Sequence, residues 1–288
     1  MVGIWLSVLS AMALRPDPSI YIGSEPSRIH RFHVERQADL RSGDAWRPWA
    51  ERGWKARFDE RTGTPQWAWG PSVSLGALPD IAAVETAVRR VFQSNPDVLG
   101  VPLDHLVLGK SGYVESQDAW LVHFDQVIPG TRVPVWRGGV RIRIRNGNLI
   151  GFGVDTHAGV EDLSATPFVD ARTARQVAIS AGPAGNAKHT EQSARLVVLP
   201  LDKGARLETP LVWEVRSETE TPKGHWVSFV DANSGEFLHV YNEVRFLSGT
   251  AWAEHDVRTV NGEMTVSPLT GLRVQTDSAA VYTDDDGA

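Results

Sequence analysis

The sequence predicts an α+β protein in which a helix followed by an antiparallel sheet occurs twice along the chain. Two segments have apolar residues at helical spacing, each is followed by runs of period-two alternation, and turn signals separate these runs. With 288 residues, the chain is long enough for about two domains, each with its own core. We therefore expect two helix-plus-sheet domains, at 29–162 and 166–245, and a short β-rich tail at 246–288.

The N-terminal segment predicts export. Residues 2–9 are apolar, and the A-x-A pattern at 11–13 suits a signal peptidase, although no Lys or Arg precedes the apolar run. We expect a signal peptide at 1–13, with a buried N-terminal strand as the alternative, and a linker at 14–28 that is rich in Pro, Ser and Gly. The expected location is secreted or periplasmic. No apolar run reaches the ~18 residues that a membrane span needs, so no membrane partner is expected.

In the first unit, strand candidates at 30–36 and 54–70 precede the helix, and the second of them contains a turn at Asp59–Gly63. The helix begins at Asp80, a residue type that caps helix N-termini. Its apolar residues recur every three or four positions as far as Phe92, shortly before an Asn-Pro pair. One face of this helix is therefore predicted to be apolar.

The sheet of the first unit is predicted from alternation between residues 106 and 155. In GVRIRIR (139–145), the apolar residues point one way and Arg141, Arg143 and Arg145 the other, which is typical of an antiparallel sheet with one solvent-facing side. Asn146-Gly147 follows, and both residues tolerate the positive φ of a type I′ turn. We expect a hairpin there.

The second unit begins after Thr166-Pro167. Asp170 is the expected N-cap of a helix over 170–182, which a Gly-Pro pair ends. Four strands are predicted after it, at 195–201, 211–217, 225–231 and 236–242.

The stretch FVDANSGEFLHVYN (229–242) could form a calcium loop or a tight hairpin. An EF-type loop that begins at Asp231 requires oxygen ligands at its fifth and twelfth positions, with a bidentate acid at the twelfth. These positions hold Gly235 and Asn242, so the calcium interpretation fails. A hairpin in which the Asp231 side chain bonds back to backbone N–H groups explains the residues better.

Several function classes are disfavoured. The chain has no cysteine and therefore no disulfide or thiolate chemistry, and its net charge of −6 gives no attraction to nucleic acid. No H-E-x-x-H zinc motif, G-x-S-x-G elbow, S-x-x-K motif or phosphate-binding loop occurs. We expect a chain that is not itself an enzyme and that binds no cofactor or metal of its own.

The eleven tryptophans are unusual, and five of them lie between residues 46 and 69. Buried tryptophans would form core and cross-strand pairs, which is the interpretation we prefer, whereas exposed ones could stack on sugars. The second option leaves an alternative function open: a secreted β-rich module that binds polysaccharide or cell-wall polymer through tryptophans.

Two blocks of sequence resemble known families. The block 106–153, with HFDQ (123–126), GTRVPV (130–135) and GVRIRI (139–144), resembles the fungalysin/thermolysin propeptide motif. The block 171–242, which contains LVWEV and VSFVDANSGE, is similar to a PepSY domain. The blocks occur in the order that such propeptides show.

This resemblance implies the propeptide of a secreted thermolysin-like or fungalysin-like zinc metallopeptidase, acting as an intramolecular chaperone and inhibitor. Its partner would be the catalytic domain, in cis or in trans, and zinc is expected only in that missing domain. The tail at 246–288 looks like the start of a truncated β-rich module, with a free-standing product as the alternative. The residues that the resemblance marks as inhibitory, docking or structural are Gln126, Gly130, Pro134, Val135, Gly139, Trp213, Asp231, Gly235 and Glu236.

Overall fold

The computed structural model describes residues 34–182, 187–202, 207–220 and 223–244, and the backbone of four short strands between 252 and 282. The predicted signal peptide and linker lie outside the described residues, so those predictions stay as they are. None of the helices in the described part of the chain is both long and apolar enough to cross a membrane.

The helices of the described residues are α1 (Val34–Ser42), α2 (Arg47–Ala50), α3 (Ile81–Gln93) and α4 (Ala171–Ala181). The two predicted helices are confirmed together with their caps. Asp80 accepts the backbone N–H of Ala83 at 2.8 Å, and Asp170 accepts that of Thr173 at 2.7 Å. The bond from the Thr173 N–H holds the pKa of the Asp170 carboxyl below its ordinary value, so this cap stays charged at neutral pH.

The strand predicted at 30–36 is wrong from residue 34 onward, because α1 begins at Val34. The weak alternation gave no buried face, since Val34 is 70% exposed, and the residues after it are good helix formers. Gln37 attaches this helix to the first strand: its side-chain amide donates to the Phe58 carbonyl at 3.0 Å and accepts the Phe58 N–H at 3.0 Å.

Seven strands belong to the first unit: β1 (Lys55–Phe58), β2 (Pro65–Ser74), β3 (Leu106–Leu108), β4 (Gly112–Val114), β5 (Ala119–Val127), β6 (Pro134–Arg145) and β7 (Asn148–Asp155). Short 3₁₀ turns lie at Pro96–Leu99, Leu103–His105 and Glu115–Gln117. The second unit contains β8 (His189–Val198), β9 (Leu201–Asp202), β10 (Leu207–Glu208), β11 (Leu211–Glu220), β12 (Lys223–Asp231) and β13 (Phe237–Asn242). The β-rich tail contains β14 (Trp252–Asp256), β15 (Met264–Pro268), β16 (Arg273–Gln275) and β17 (Ala280–Tyr282).

The predicted hairpins are confirmed. Asn146 and Gly147 have φ values of 49° and 68°, as a type I′ turn between β6 and β7 requires. Gly63, with φ of 72°, donates its N–H to the Asp59 carbonyl at 2.8 Å and closes the turn between β1 and β2. The local signals therefore placed these two turns correctly.

Each of the two predicted helices, α3 and α4, covers one side of antiparallel strands. Val84, Val88 and Phe92 of α3 pack on a core that includes Val140 and Ile142 of β6. Similarly, Ala174 and Ala178 of α4 pack on Val215 of β11 and Val230 of β12. The α+β class is thus observed in both units.

The two units share a sheet of 11 strands, because β6 of the first unit pairs in parallel with β8 of the second. This pairing is short and joins Val135 to Val198. The predicted division into separate domains at 29–162 and 166–245 stays a prediction, since one strand takes part in both units.

Candidate functional site

Gln126, on β5, is a buried structural residue. Its Nε2 donates to the His157 carbonyl at 2.6 Å, and its Oε1 accepts the His157 N–H at 2.8 Å. The side chain is 0% exposed, so it replaces a strand-to-strand backbone pairing at a point where β7 has already ended. This is the same arrangement that Gln37 makes with Phe58.

The connection from β5 to β6 explains three of the remaining predicted positions. Gly130 has φ of 71° and occupies the exposed turn, and Pro134 pairs with Val127 as β6 begins. Gly139 has φ of 150°, and a Cβ there would overlap the carbonyl oxygen of Phe124 on β5. Both glycines are therefore required by backbone geometry.

The predicted residues of the second block form the β12–β13 hairpin and its support. Asp231 Oδ1 accepts the N–H groups of Asn233 at 2.8 Å and Ser234 at 2.7 Å, and Gly235 has φ of 77°. The hairpin prediction is thus confirmed. Trp213 donates its indole N–H to the Val169 carbonyl at 2.7 Å, which fixes the segment that leads into α4.

Residues from the two blocks meet in one hydrophobic cluster, which we call the junction core. It contains Ile128, Val135, Val160, Val198, Leu211 and Ala232, with Trp213 packed against it. Of the nine predicted positions, only Gly130 and Glu236 are exposed. The docking role therefore stays a prediction, and of these nine residues Val135 and Trp213 take part in the contacts of the junction core.

The solvent-facing side of the first sheet carries a groove that the sequence analysis did not single out. This outer groove has a volume of about 440 Å³ and is lined by the side chains of Trp67, Lys110, Leu121, His123, Arg141 and Arg143. It lies on the side of β5 and β6 that faces away from α3, because these residues alternate with buried Val122 and Ile142.

Trp67 forms a wall of the outer groove. A Cβ at Gly151 or at Gly153 would come within 3.1 Å of the Trp67 ring, so the absence of side chains at these two positions lets the indole lie against β7. The Arg143 guanidinium lies 5.4 Å from the centre of the ring, within the range of a cation–π contact.

Some of the tryptophans are buried in the core, and others are at least partly exposed, where they could contact a ligand. Trp46, Trp49 and Trp54 are each at most 3% exposed and belong to the core of the first unit. Trp67 is half-buried and Trp69 is 45% exposed. The sequence contains both patterns that form this part of the groove, W-A-W at 67–69 and G-F-G at 151–153, but it does not show that they lie opposite each other.

Unlike Arg143, two arginines on the strands of the second unit are paired with carboxylates. Glu214 is fully buried, and its carboxylate accepts bonds from Arg195 and Arg216 at 2.7 Å each. Burial alone would lower the pKa of Arg216, but the bonds and charges of Glu214 and Glu243 outweigh it and raise that pKa. These cations are held by carboxylates of the chain itself.

No group of three or more His, Asp or Glu side chains within the described ranges is arranged to hold a metal ion. The only lining histidine of the outer groove, His123, lies with its Nε2 2.9 Å from Asp125 Oδ1. The groove combines the cationic side chains of Lys110, Arg141 and Arg143 with the apolar side chains of Trp67 and Leu121.

No family model matches the chain, and no curated protein matches it in sequence. Among solved structures, the Bacillus megaterium YpeB C-terminal domain is 15% identical over 62% of this chain and 71% of its own, with a TM-score of 0.33. The YpmB protein from Bacillus subtilis is 13% identical over 58% of this chain and 99% of its own, with a TM-score of 0.20. With TM-scores this low, the two similarities support no conclusion about fold or activity.

Proposed function

We propose that this chain is the non-catalytic pro-region of a secreted zinc metallopeptidase, which helps the catalytic domain to fold and blocks its cleft until the pro-region is removed. The observation that supports this most is the junction core. Val135 from the first motif block packs with Leu211 and Ala232 from the second, so the residues behind the resemblance act together in joining the two units.

The physical basis is a requirement for a template. A mature peptidase with a high unfolding barrier can fold too slowly unless a partner stabilises the transition state for folding. Such a partner must be ordered before its client is. A continuous sheet that spans both helix-covered units provides a preformed surface of this kind.

The proposal is tested by refolding a thermolysin-like catalytic domain from denaturant with and without the purified chain. We expect a marked increase in recovered peptidase activity at equimolar chain, after the chain itself has been proteolysed. A second assay adds the intact chain to native peptidase and measures inhibition. Failure of both assays with thermolysin-like and fungalysin-like enzymes would rule out this function.

The refolding assay has a matched control in the chain. Trp136→Ala removes a buried side chain next to the junction core, whereas Trp69→Ala removes an exposed one. If a rigid two-unit template is needed, Trp136→Ala should lower the yield of active peptidase and Trp69→Ala should not.

A second candidate function is a secreted module that binds glycans through tryptophan. The observation that favours it is the pair formed by the half-buried Trp67 and the exposed Trp69 on the solvent-facing side of the first sheet. Titration of neutral and anionic oligosaccharides with tryptophan fluorescence as the readout tests it. A change that persists in Trp69→Phe and disappears in Trp67→Phe would assign the binding to the outer groove.

A further inference from the structure

We propose that the outer groove binds an extended, acidic segment of a protein partner, with carboxylates at alternate residues. This goes beyond the proposed function, because a groove with this specificity can exist whether or not the partner is a peptidase. The inference rests on the charge, the spacing and the rigidity of the groove-lining side chains.

The groove is positively charged in a chain whose net charge is −6. Lys110, Arg141 and Arg143 line it, and no carboxylate is among the described residues that do so. Arg141 is 55% exposed, and its nearest carboxylate, Asp155 Oδ2, lies 3.9 Å away. Within the described ranges, Arg143 forms no ion pair and contacts the Trp67 ring instead. Both guanidinium groups therefore have donors available for a ligand.

The spacing of the two arginines selects an extended ligand. Arg141 and Arg143 are two residues apart on β6 and point to the same side, so their Cα atoms lie about 6.6 Å apart along the strand. An extended peptide that lies along β6 repeats its side chains with the same period. Carboxylates at alternate residues would each meet one guanidinium, which can bind a carboxylate in a forked, bidentate manner.

The apolar side chains flank this pair of charges. Trp67 lies on the β7 side and Leu121, which is 47% exposed, on the β5 side. Because the Trp67 ring is packed against Gly151 and Gly153, little conformational entropy is lost when a ligand contacts it. A segment with carboxylates and short aliphatic stems complements both features.

The test uses the full chain and fluorescein-labelled serine-based peptides that contain three glutamates each. One peptide has glutamate at every second residue and the other at every third, so their charges are equal but only the first presents neighbouring carboxylates on one side. Fluorescence anisotropy at low ionic strength should show at least about tenfold tighter binding of the first peptide, since the second loses one of the two charged pairs.

Matched variants locate the site. Arg143→Gln should weaken binding of the first peptide about tenfold, whereas Arg90→Gln, which removes the same charge from the exposed side of α3, should leave it unchanged. Arg141→Lys keeps the charge but loses the forked geometry and should weaken binding by a smaller factor. Melting curves recorded in parallel verify that each variant is folded.

Several outcomes would overturn the inference: no binding by the native chain, equal binding of the two peptides, or equal losses in Arg143→Gln and Arg90→Gln. Tighter binding of an oligogalacturonate than of either peptide would also overturn it, because the occupant would then be an anionic glycan. A failure here leaves the refolding and inhibition results untouched, so the two proposals can fail separately.

Discussion

The two ends of β6 differ in what surrounds them. Between Pro134 and Gly139 the strand is mostly buried, apart from the exposed Arg137. Val135 lies in the junction core, and Trp136 packs on the Phe229 ring with the ring centres 5.5 Å apart. Between Val140 and Arg145 it has one buried side and one open side, with arginines at every second position.

This difference shows that one strand can join two units and also present a binding surface. The first end uses side chains that pack against the second unit, so changes there should cost stability. The second end places Arg141 and Arg143 in the outer groove, so changes to these two arginines should affect recognition with little effect on stability. The following four changes test this division, from the largest expected effect to the smallest.

Gly139→Ala should have the largest effect. With φ of 150° and the Phe124 carbonyl where a Cβ would lie, the variant has to break the β5–β6 pairing or move a backbone. We expect a loss of about 5 kcal/mol or more in the free energy of unfolding. Urea denaturation checks this, with Gly112→Ala as control, because nothing lies within 4 Å of a Cβ there. A loss no larger than that of the control would show that the mostly buried end tolerates change.

Trp136→Ala should cost about 3–4 kcal/mol, because it leaves a cavity among large buried side chains of the second unit. Trp136 is 6% exposed and packs with Val212, Val227 and Phe229. If the two units unfold together, the denaturation curve should remain a single transition at a lower urea concentration. Two separate transitions would show instead that Trp136 couples two domains of different stability, which would support the division predicted from sequence.

Gln126→Leu should cost about 2 kcal/mol, because the variant leaves the buried N–H and C=O of His157 without the partners that Gln126 supplies. The loss should be smaller than for Trp136→Ala, since the leucine still fills the space. Calorimetric melting measures it, and Gln117→Leu, at an exposed position, is the control. Equal melting temperatures for the two variants would contradict a structural role for this amide.

The sequence predicted features whose cause is local. Asp80 and Asp170 cap helices through bonds to the third residue after them, and the Asn146-Gly147 turn depends on two adjacent residues. By contrast, α1 has no apolar stripe, and Gln37, its only buried residue, anchors it through bonds to Phe58, 21 residues away. Helical pattern alone could not reveal such a helix.

The other features that the sequence did not predict depend on pairing between segments that are far apart in the chain. The contact between Val135 and Val198 joins segments 63 positions apart in the chain, and no turn signal marks it. Of the nine predicted residues, Val135 takes part in this pairing, and the docking role of the nine stays a prediction. The outer groove was missed because it depends on the packing of the Trp67 ring against Gly151 and Gly153 of β7. The sequence does not show that these glycines lie next to Trp67, because that depends on the register between β2 and β7.

Arg143→Gln should have the smallest effect on stability. The side chain is exposed and its one described contact is the cation–π interaction with Trp67, which contributes about 0.5 kcal/mol at an exposed site. We expect the free energy of unfolding to stay within about 0.5 kcal/mol of the native chain, with an unchanged denaturant slope. A loss as large as that of Gln126→Leu would mean that the open end of β6 is also structural. Any loss of peptide binding would then follow from a loss of folded protein. An unchanged stability combined with weakened binding would show that Arg143 serves recognition and not folding. The adjacent residue on the same strand, Ile142, is buried in the core, so the two roles would then belong to neighbouring residues on opposite sides of β6.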